Sequence, residues 1–204
     1  MECIKKIVLG SASPRRRELL QQIGLEFSVI TSDCEENITK TAPEEVVQEL
    51  SLMKAQDVFS KIKGEDGITE KSEVLVIGAD TIVALESEIL GKPHSKENAI
   101  SMLNHLQGKI HQVYTSVSFI WEEKGEVLTH TFFESTDVEV LPMTDEEIAY
   151  YVNLDTCMDK AGAYGIQNEF ACYVKGIKGD YNNVVGLPVG RVYQELKQLS
   201  LLIL

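Results

Sequence analysis

The chain has 204 residues, 44% of them hydrophobic, enough for one substantial core or for two small lobes around a shared cleft, and one globular unit spanning residues 1–204 is expected. Its 32 acidic side chains outnumber 19 basic ones, a formal net charge of −13, so polyanions are poor partners: no nucleic acid and no anionic membrane is expected, and any anionic ligand has to be met by a local basic patch. Cys3, Cys34, Cys157 and Cys172 form no CxxC pair and read as reduced thiols of a cytoplasmic protein, while a signal-peptide core and an apolar run of about 18 residues are both lacking.

In chain order, "KKIVLG" predicts a buried strand ending at Gly10, and Ser13 followed by Pro14 predicts a helix N-cap with proline in the first helical position. The first unit is therefore strand, tight turn, helix. "EFSVI" predicts a second strand, and Pro43 opens a long helix with Val46, Val47, Leu50, Met53 and Val58 near helical spacing. "KGEDGITEKSE" reads as a surface linker. "VLVIGADTIVAL" predicts a central strand broken by Gly78 and Asp80, followed by a hairpin through "ESEILGKP". "SKENAISMLNHL" predicts an amphipathic helix capped by Ser95, Ile110 to Leu141 two long β-rich segments around "EEKGE", and "TDEEIAYYV" a helix capped by Thr144. After a glycine-rich stretch, "RVYQELKQLSLLIL" predicts a C-terminal helix; its last six residues are too short to span a membrane. The class that results is α/β with a mixed twisted sheet flanked by helices.

A helix N-terminus offers backbone N–H groups and the positive end of its dipole, so "GSASPR", residues Gly10 to Arg15, is a natural anion cradle. Arginine adds a bidentate phosphate donor. Charge runs usually face solvent, and successive helical residues point about 100° apart, so Arg15, Arg16 and Arg17 do not converge on one site. Arg15, nearest the cradle, is the best candidate. Asp80, polar within an apolar strand, stands where strand ends face a ligand crevice, although aspartate is also a common turn residue. Glu35 and Glu36 share a loop, and Lys54 and Lys92 signal nothing when taken singly. The four histidines have no zinc spacing, and GxSxG, GxGxxG and Walker patterns are missing. Tyr150, Tyr151 and Tyr164 read as core residues.

Taken together, "SASPRRRELL", "SLMKA", "IGADTIV", "LGKP", "DKAGAYGIQ" and "GDYNNVVGLP" resemble the Maf-like nucleoside triphosphate pyrophosphatases, and "AGAYGIQ" with "GDYNNVVGLP" is similar to the branch acting on dTTP and UTP. The resemblance runs from Ser11 to Pro188. It implies a homodimeric α/β protein with two lobes around a deep central cleft, a house-cleaning hydrolase that converts a nucleoside triphosphate to monophosphate and pyrophosphate with a divalent metal. By motif matching, Asp80 is the catalytic acid residue, Glu35 a second site carboxylate, and Lys54 and Lys92 the site lysines; Arg15, Thr81 and Gln167 fall at selectivity-linked positions. Ser51 stands where the family usually has alanine, a small change on a helix face.

A triphosphate near Asp80 and Glu35 needs a cation between them. Ser11, Ser13 and Arg15 would then hold phosphate, helped by Lys54 and Lys92, while Asp80 and Glu35 hold Mg2+ or Mn2+, the hard ions that suit oxygen ligands. The metal is expected to supply much of the activation, with Asp80 orienting the attacking water or taking its proton. The Gln167 amide both donates and accepts, as the pairing edge of uracil or thymine requires. The alternative is a nucleotide-binding regulator of cell division, linked to septum formation, without essential turnover.

Overall fold

Parallel pairing organises the N-terminal half of the chain. In the computed structural model, which describes residues 2–3, 5–64 and 74–203, β1 (Glu2–Cys3) precedes β2 (Lys6–Leu9), α1 (Pro14–Gln22) and β3 (Phe27–Val29). Strand β2 lies parallel to β3 on one side and to β4 (Val74–Leu85) on the other, the arrangement that strand-helix-strand crossovers through α1 and α2 (Pro43–Gly64) demand. Most of the expected linker, residues 65–73, lies outside the described residues. Strand β5 (Glu88–Leu90) returns antiparallel to β4 through Glu86 and Ser87, both with positive φ, the signature of a two-residue hairpin turn.

Helix α3 (Lys96–Leu106) leads into β6 (Ile110–Glu123) and β7 (Glu126–Val140), then α4 (Asp145–Asn153), short 3-10 turns at Ala161–Ala163 and Glu169–Tyr173, β8 (Val174–Lys178), α5 (Tyr181–Val185), α6 (Val189–Gln198) and β9 (Leu202–Ile203). The seven-stranded sheet runs β3-β2-β4-β6-β7-β8, with β5 on β4. Its β2–β4 pair is parallel and its β7–β8 pair antiparallel, so the α/β class with a mixed sheet flanked by helices holds. The caps predicted at Ser95 and Thr144 are made: Ser95 accepts from the Asn98 N–H, and Thr144 and Glu147 form a reciprocal capping box.

Three expectations change. Strand β4 is continuous from Val74 to Leu85: Gly78 and Asp80 sit inside it without breaking it, because β4, held by β2 up to Ile77 and by β5 from Val83, also has β6 as a neighbour in the sheet, and pairing outweighs glycine's weak strand preference. The C-terminal helix stops at Gln198, and Leu202–Ile203 pairs antiparallel with β1 instead. Tyr150 is 63% exposed while Tyr151 is buried, since α4 buries one stripe only.

The chain forms two compact units: Met1–Asp80, Thr115–Glu134 and Gly186–Leu204 make the first, Thr81–Tyr114 and Ser135–Val185 the second. In the first, Ala55, Val58, Phe59 and Ile62 of α2 pack on Val8, Val74, Val76 and Ile120 of the sheet. Beside them Ser51, fully buried, lies 2.8 Å from both Ser116 Oγ and Ser118 Oγ; Ser118 Oγ meets Thr131 Oγ1 at 2.8 Å, and Ser116 Oγ donates to Phe132 O. Ser51 Oγ also donates to Gln48 O at 3.0 Å, so the hydroxyls form one network that ends on the Gln48 and Phe132 carbonyls. The Ser51-for-alanine change is thus a buried polar link between α2 and β6. In the second unit, Tyr151, Tyr164 and Phe170 form an aromatic cluster of tilted rings, with Phe170 5.1 Å and 4.6 Å from the two tyrosine rings.

Candidate active site

Gly78 decides where α2 lies. A Cβ built there would come within 2.6 Å of Ser51 O and 2.7 Å of Ala55 Cβ, so only glycine lets the helix backbone rest against β4. Side chains two apart on a strand share a face, and Asp80, two residues beyond Gly78, therefore turns toward the same helix. Lys54 precedes Ala55 on α2 and donates to Asp80 Oδ1; its ammonium also pairs with Glu36 Oε1 at 2.9 Å. Burial by itself would lower the Lys54 pKa, but Asp80 and Glu36 together outweigh it and hold the ammonium above its ordinary value. Lys54 is an ion-paired group between two carboxylates.

The N-terminal turn meets the same strand. The Gly10 N–H donates to Ile77 O at 2.8 Å, and buried Ser11 accepts from the Ser13 N–H at 3.3 Å and from Arg16 at 3.1 Å. Arg16 donates further to Ala79 O at 2.8 Å and Gly186 O at 2.9 Å. Burial lowers its pKa, with Asp80 acting in the opposite direction; a guanidinium starts so high that it stays charged. Ser13 is the N-cap residue and Pro14 the first of α1, as expected, but the Ser13 side chain makes no capping bond. Of the three arginines, Arg16 turns inward, Arg15 is half-buried and Arg17 is exposed.

In the second unit the "AGAYGIQ" segment is held by close packing. Gly162 has φ 67° and a Cβ there would lie 3.0 Å from the Val83 methyls, while its N–H donates to Gly91 O at 3.0 Å. Buried Tyr164 meets His111 Nε2 at 2.7 Å, and Tyr151 Oη accepts from the Gly165 N–H at 3.2 Å. Gln167 emerges exposed between the two 3-10 turns, and Lys92 is exposed between Gly91 and Pro93. In "GDYNNVVGLP", a Cβ on Gly179 would fall 2.7 Å from Thr136 Oγ1, and Asn183 donates to Val113 O and Thr136 Oγ1. Much of that block secures the chain onto β6 and β7.

The structure thus brings Lys54, Asp80 and Glu36 together, and sets Ser11 on Arg16, which Asp80 also acts upon. Ser11, Ser13, Arg15, Glu35, Lys54 and Asp80 belong to the first unit; Thr81, Lys92 and Gln167 belong to the second. Glu35 is exposed, and it is its neighbour Glu36 that reaches Lys54. Glu36 is exposed as well, and an aperiodic loop gives no sign of which of two adjacent glutamates pairs with the helix; nothing in an RRR run marks the middle arginine. Among the described residues no three of His, Cys, Asp and Glu gather as a ready metal cage. The carboxylates of Asp80 and Glu36 are hard oxygen donors, and Mg2+ commonly takes one or two protein carboxylates and completes its shell with phosphate and water.

Comparison with known proteins agrees with this pattern. The family model described as Maf-like protein matches residues 6–199. A protein of Agathobacter rectalis named dTTP/UTP pyrophosphatase is 51% identical over 202 residues, covering 97% of this chain and 98% of that protein. Proteins of the same name from Lachnoclostridium phytofermentans and Bacillus cereus strain G9842 are 45% and 44% identical, over 96% and 97% of both chains. With the match running from β2 through the last helix and including every block from "SASPRRRELL" to "GDYNNVVGLP", this chain belongs to the Maf-like protein family.

Proposed function

We propose that the protein is a nucleoside triphosphate pyrophosphatase acting on dTTP and UTP. The observation that carries this reading is 51% identity along nearly the whole of a relative with that name, and the charge arrangement supports it. Lys54 is a cation beside Asp80 within an acidic chain, suited to receive a triphosphate. In the reaction water cleaves the α–β phosphoanhydride bond, giving the monophosphate and pyrophosphate. A divalent cation, when bound, offsets phosphate charge and polarises the bond that breaks. Asp80, with Glu35 or Glu36, would hold it. Lys54, released from a carboxylate as phosphate arrives, donates to a phosphoryl oxygen, and Asp80 orients the attacking water or takes its proton. Ser11, Ser13, Arg15 and Lys92 are assigned to phosphate, and Thr81 and Gln167 to the base. No helix among the described residues is long and apolar enough to cross a membrane; a cytoplasmic homodimer is part of the proposal.

The test is a panel of dTTP, UTP, CTP, ATP and GTP with Mg2+ or Mn2+, with monophosphate, pyrophosphate and orthophosphate all quantified. Pyrophosphate and monophosphate in equal amounts from dTTP and UTP are expected. Orthophosphate as first product, or a preference for purines, would overturn the assignment.

A further inference from the structure

Residues 30–41 carry both Glu35 and Glu36 and have no regular secondary structure, yet α2 grips them at three levels. At one end Asp57 Oδ2 accepts from the Asp33 N–H at 3.0 Å, and Lys61 bonds Thr31 O, Asp33 Oδ2 and Asp57 Oδ2, each at 3.0 Å. In the middle Lys54 holds Glu36. At the other end Glu49 accepts from the Thr39 N–H at 2.8 Å, the Thr39 hydroxyl at 2.6 Å and the Lys40 N–H at 3.3 Å. The strap therefore runs antiparallel to α2. At about 100° per residue, positions 49, 54, 57 and 61 fall within an arc of about 140°, so one side of the helix makes every contact.

The two ends do different chemistry from the middle. Backbone donors in an irregular segment need acceptors, and here helix carboxylates supply them for Asp33, Thr39 and Lys40. Both carboxylates are kept ionised by what they grip: hydrogen bonding from Thr39 lowers the Glu49 pKa, and Lys61 lowers that of Asp57. Glu36 sits three residues from Asp33 and three from Thr39, midway between the clamps.

We propose that Glu49 and Asp57 are positioning residues, which hold the strap in the register that keeps Glu36 on Lys54 beside Asp80. This rests on the pyrophosphatase reading for its consequence in catalysis, but the clamp itself stands on the contacts above. Exposed charge-assisted contacts of this kind govern local opening of a segment far more than global unfolding. Losing a clamp lets the strap, with Glu36, leave α2 while the core stays folded.

The experiment measures Glu49→Gln, Asp57→Asn, Thr39→Val and the conservative Thr39→Ser in the full chain. Amide hydrogen exchange is read at Asp33, Thr39 and Lys40, and kcat and KM on dTTP with Mg2+. Glu49→Gln and Asp57→Asn are expected to speed exchange of their own amides about tenfold, to lower kcat about fivefold with KM within about twofold, and to keep Tm within about 2 °C. Thr39→Val should behave like Glu49→Gln, and Thr39→Ser like the wild type. Unchanged exchange would overturn the clamp; faster exchange with unchanged kcat, or a large fall in Tm, would overturn the positioning role. Should the wild type turn over no nucleotide, the function reading falls, and exchange alone decides whether the clamps hold the strap.

Discussion

Arg16 reaches Ser11 Oγ, Ala79 O and Gly186 O at once, while Arg15 beside it is half-buried. Removing Arg16 takes a charged donor from two carbonyls and a buried hydroxyl, and bonds to a charged donor contribute about 1.5 to 3 kcal/mol each in favourable cases. Arg16→Ala is expected to lower unfolding free energy in urea by about 3 kcal/mol. Arg15→Ala should instead weaken dTTP turnover with little change in stability, and equal losses of stability in both variants would refute this division. Asp80→Asn changes one charge and almost no volume, and leaves Lys54 paired with Glu36. Turnover should fall below about a tenth of wild type, a barrier increase of more than about 1.4 kcal/mol, with the melting curve nearly unchanged. A variant that kept more activity than that would show that Asp80 is not the central group.

At the scale of elements, the contact of α2 with β4 sets the site. Gly78→Ala puts a methyl within 2.6 Å of Ser51 O, backbone that does not yield as a flexible side chain would. Overpacking of this kind costs about 1 to 3 kcal/mol, and the relief available, moving α2 outward, also takes Lys54 from Asp80 and opens the buried link from Ser51 to Ser116 and Ser118. Gly78→Ala should therefore lose stability and kcat together, measured by urea unfolding and dTTP turnover, whereas Asp80→Asn loses kcat alone. How legible each element was in the sequence follows from how local its cause is. Caps at Ser95 and Thr144 and the proline-initiated helices α1 and α2 depend on residues within one turn, and they form where the sequence places them. The role of Gly78 depends on a helix more than twenty positions away, so a break in β4 is the natural reading of the sequence and the opposite is found. Strands β1, β8 and β9 are only two to five residues long and owe their existence to distant partners. Glu36, Arg16 and the clamps at Glu49 and Asp57 were hidden for the same reason: each acts on residues far along the chain.

For the molecule as a whole, charge and stability respond to pH in different directions. A net charge of −13 at pH 7 and a sequence pI near 4.8 mean that acidification relieves self-repulsion, which taken alone would raise stability. His111 opposes this. It is fully buried against Tyr164, and burial pushes its pKa down to about 4, with Asp137 acting weakly the other way. In the unfolded chain the same imidazole titrates near about 6.5. Below that value the unfolded state takes a proton that the folded state refuses, so the stability His111 confers is complete above about pH 6.5 and is lost progressively as pH falls toward about 4. One pH unit below the unfolded pKa costs close to 1.4 kcal/mol. Wild type should therefore lose about 1.4 kcal/mol more than His111→Gln between pH 7.5 and pH 5.5 in urea unfolding, since glutamine has no proton to take. This window lies above the pI and above the range in which most carboxylates titrate, and comparing the two proteins cancels the other histidines. If both lost the same amount, His111 would be able to accept its proton inside the fold, and the His111–Tyr164 contact would be looser than its 2.7 Å separation indicates.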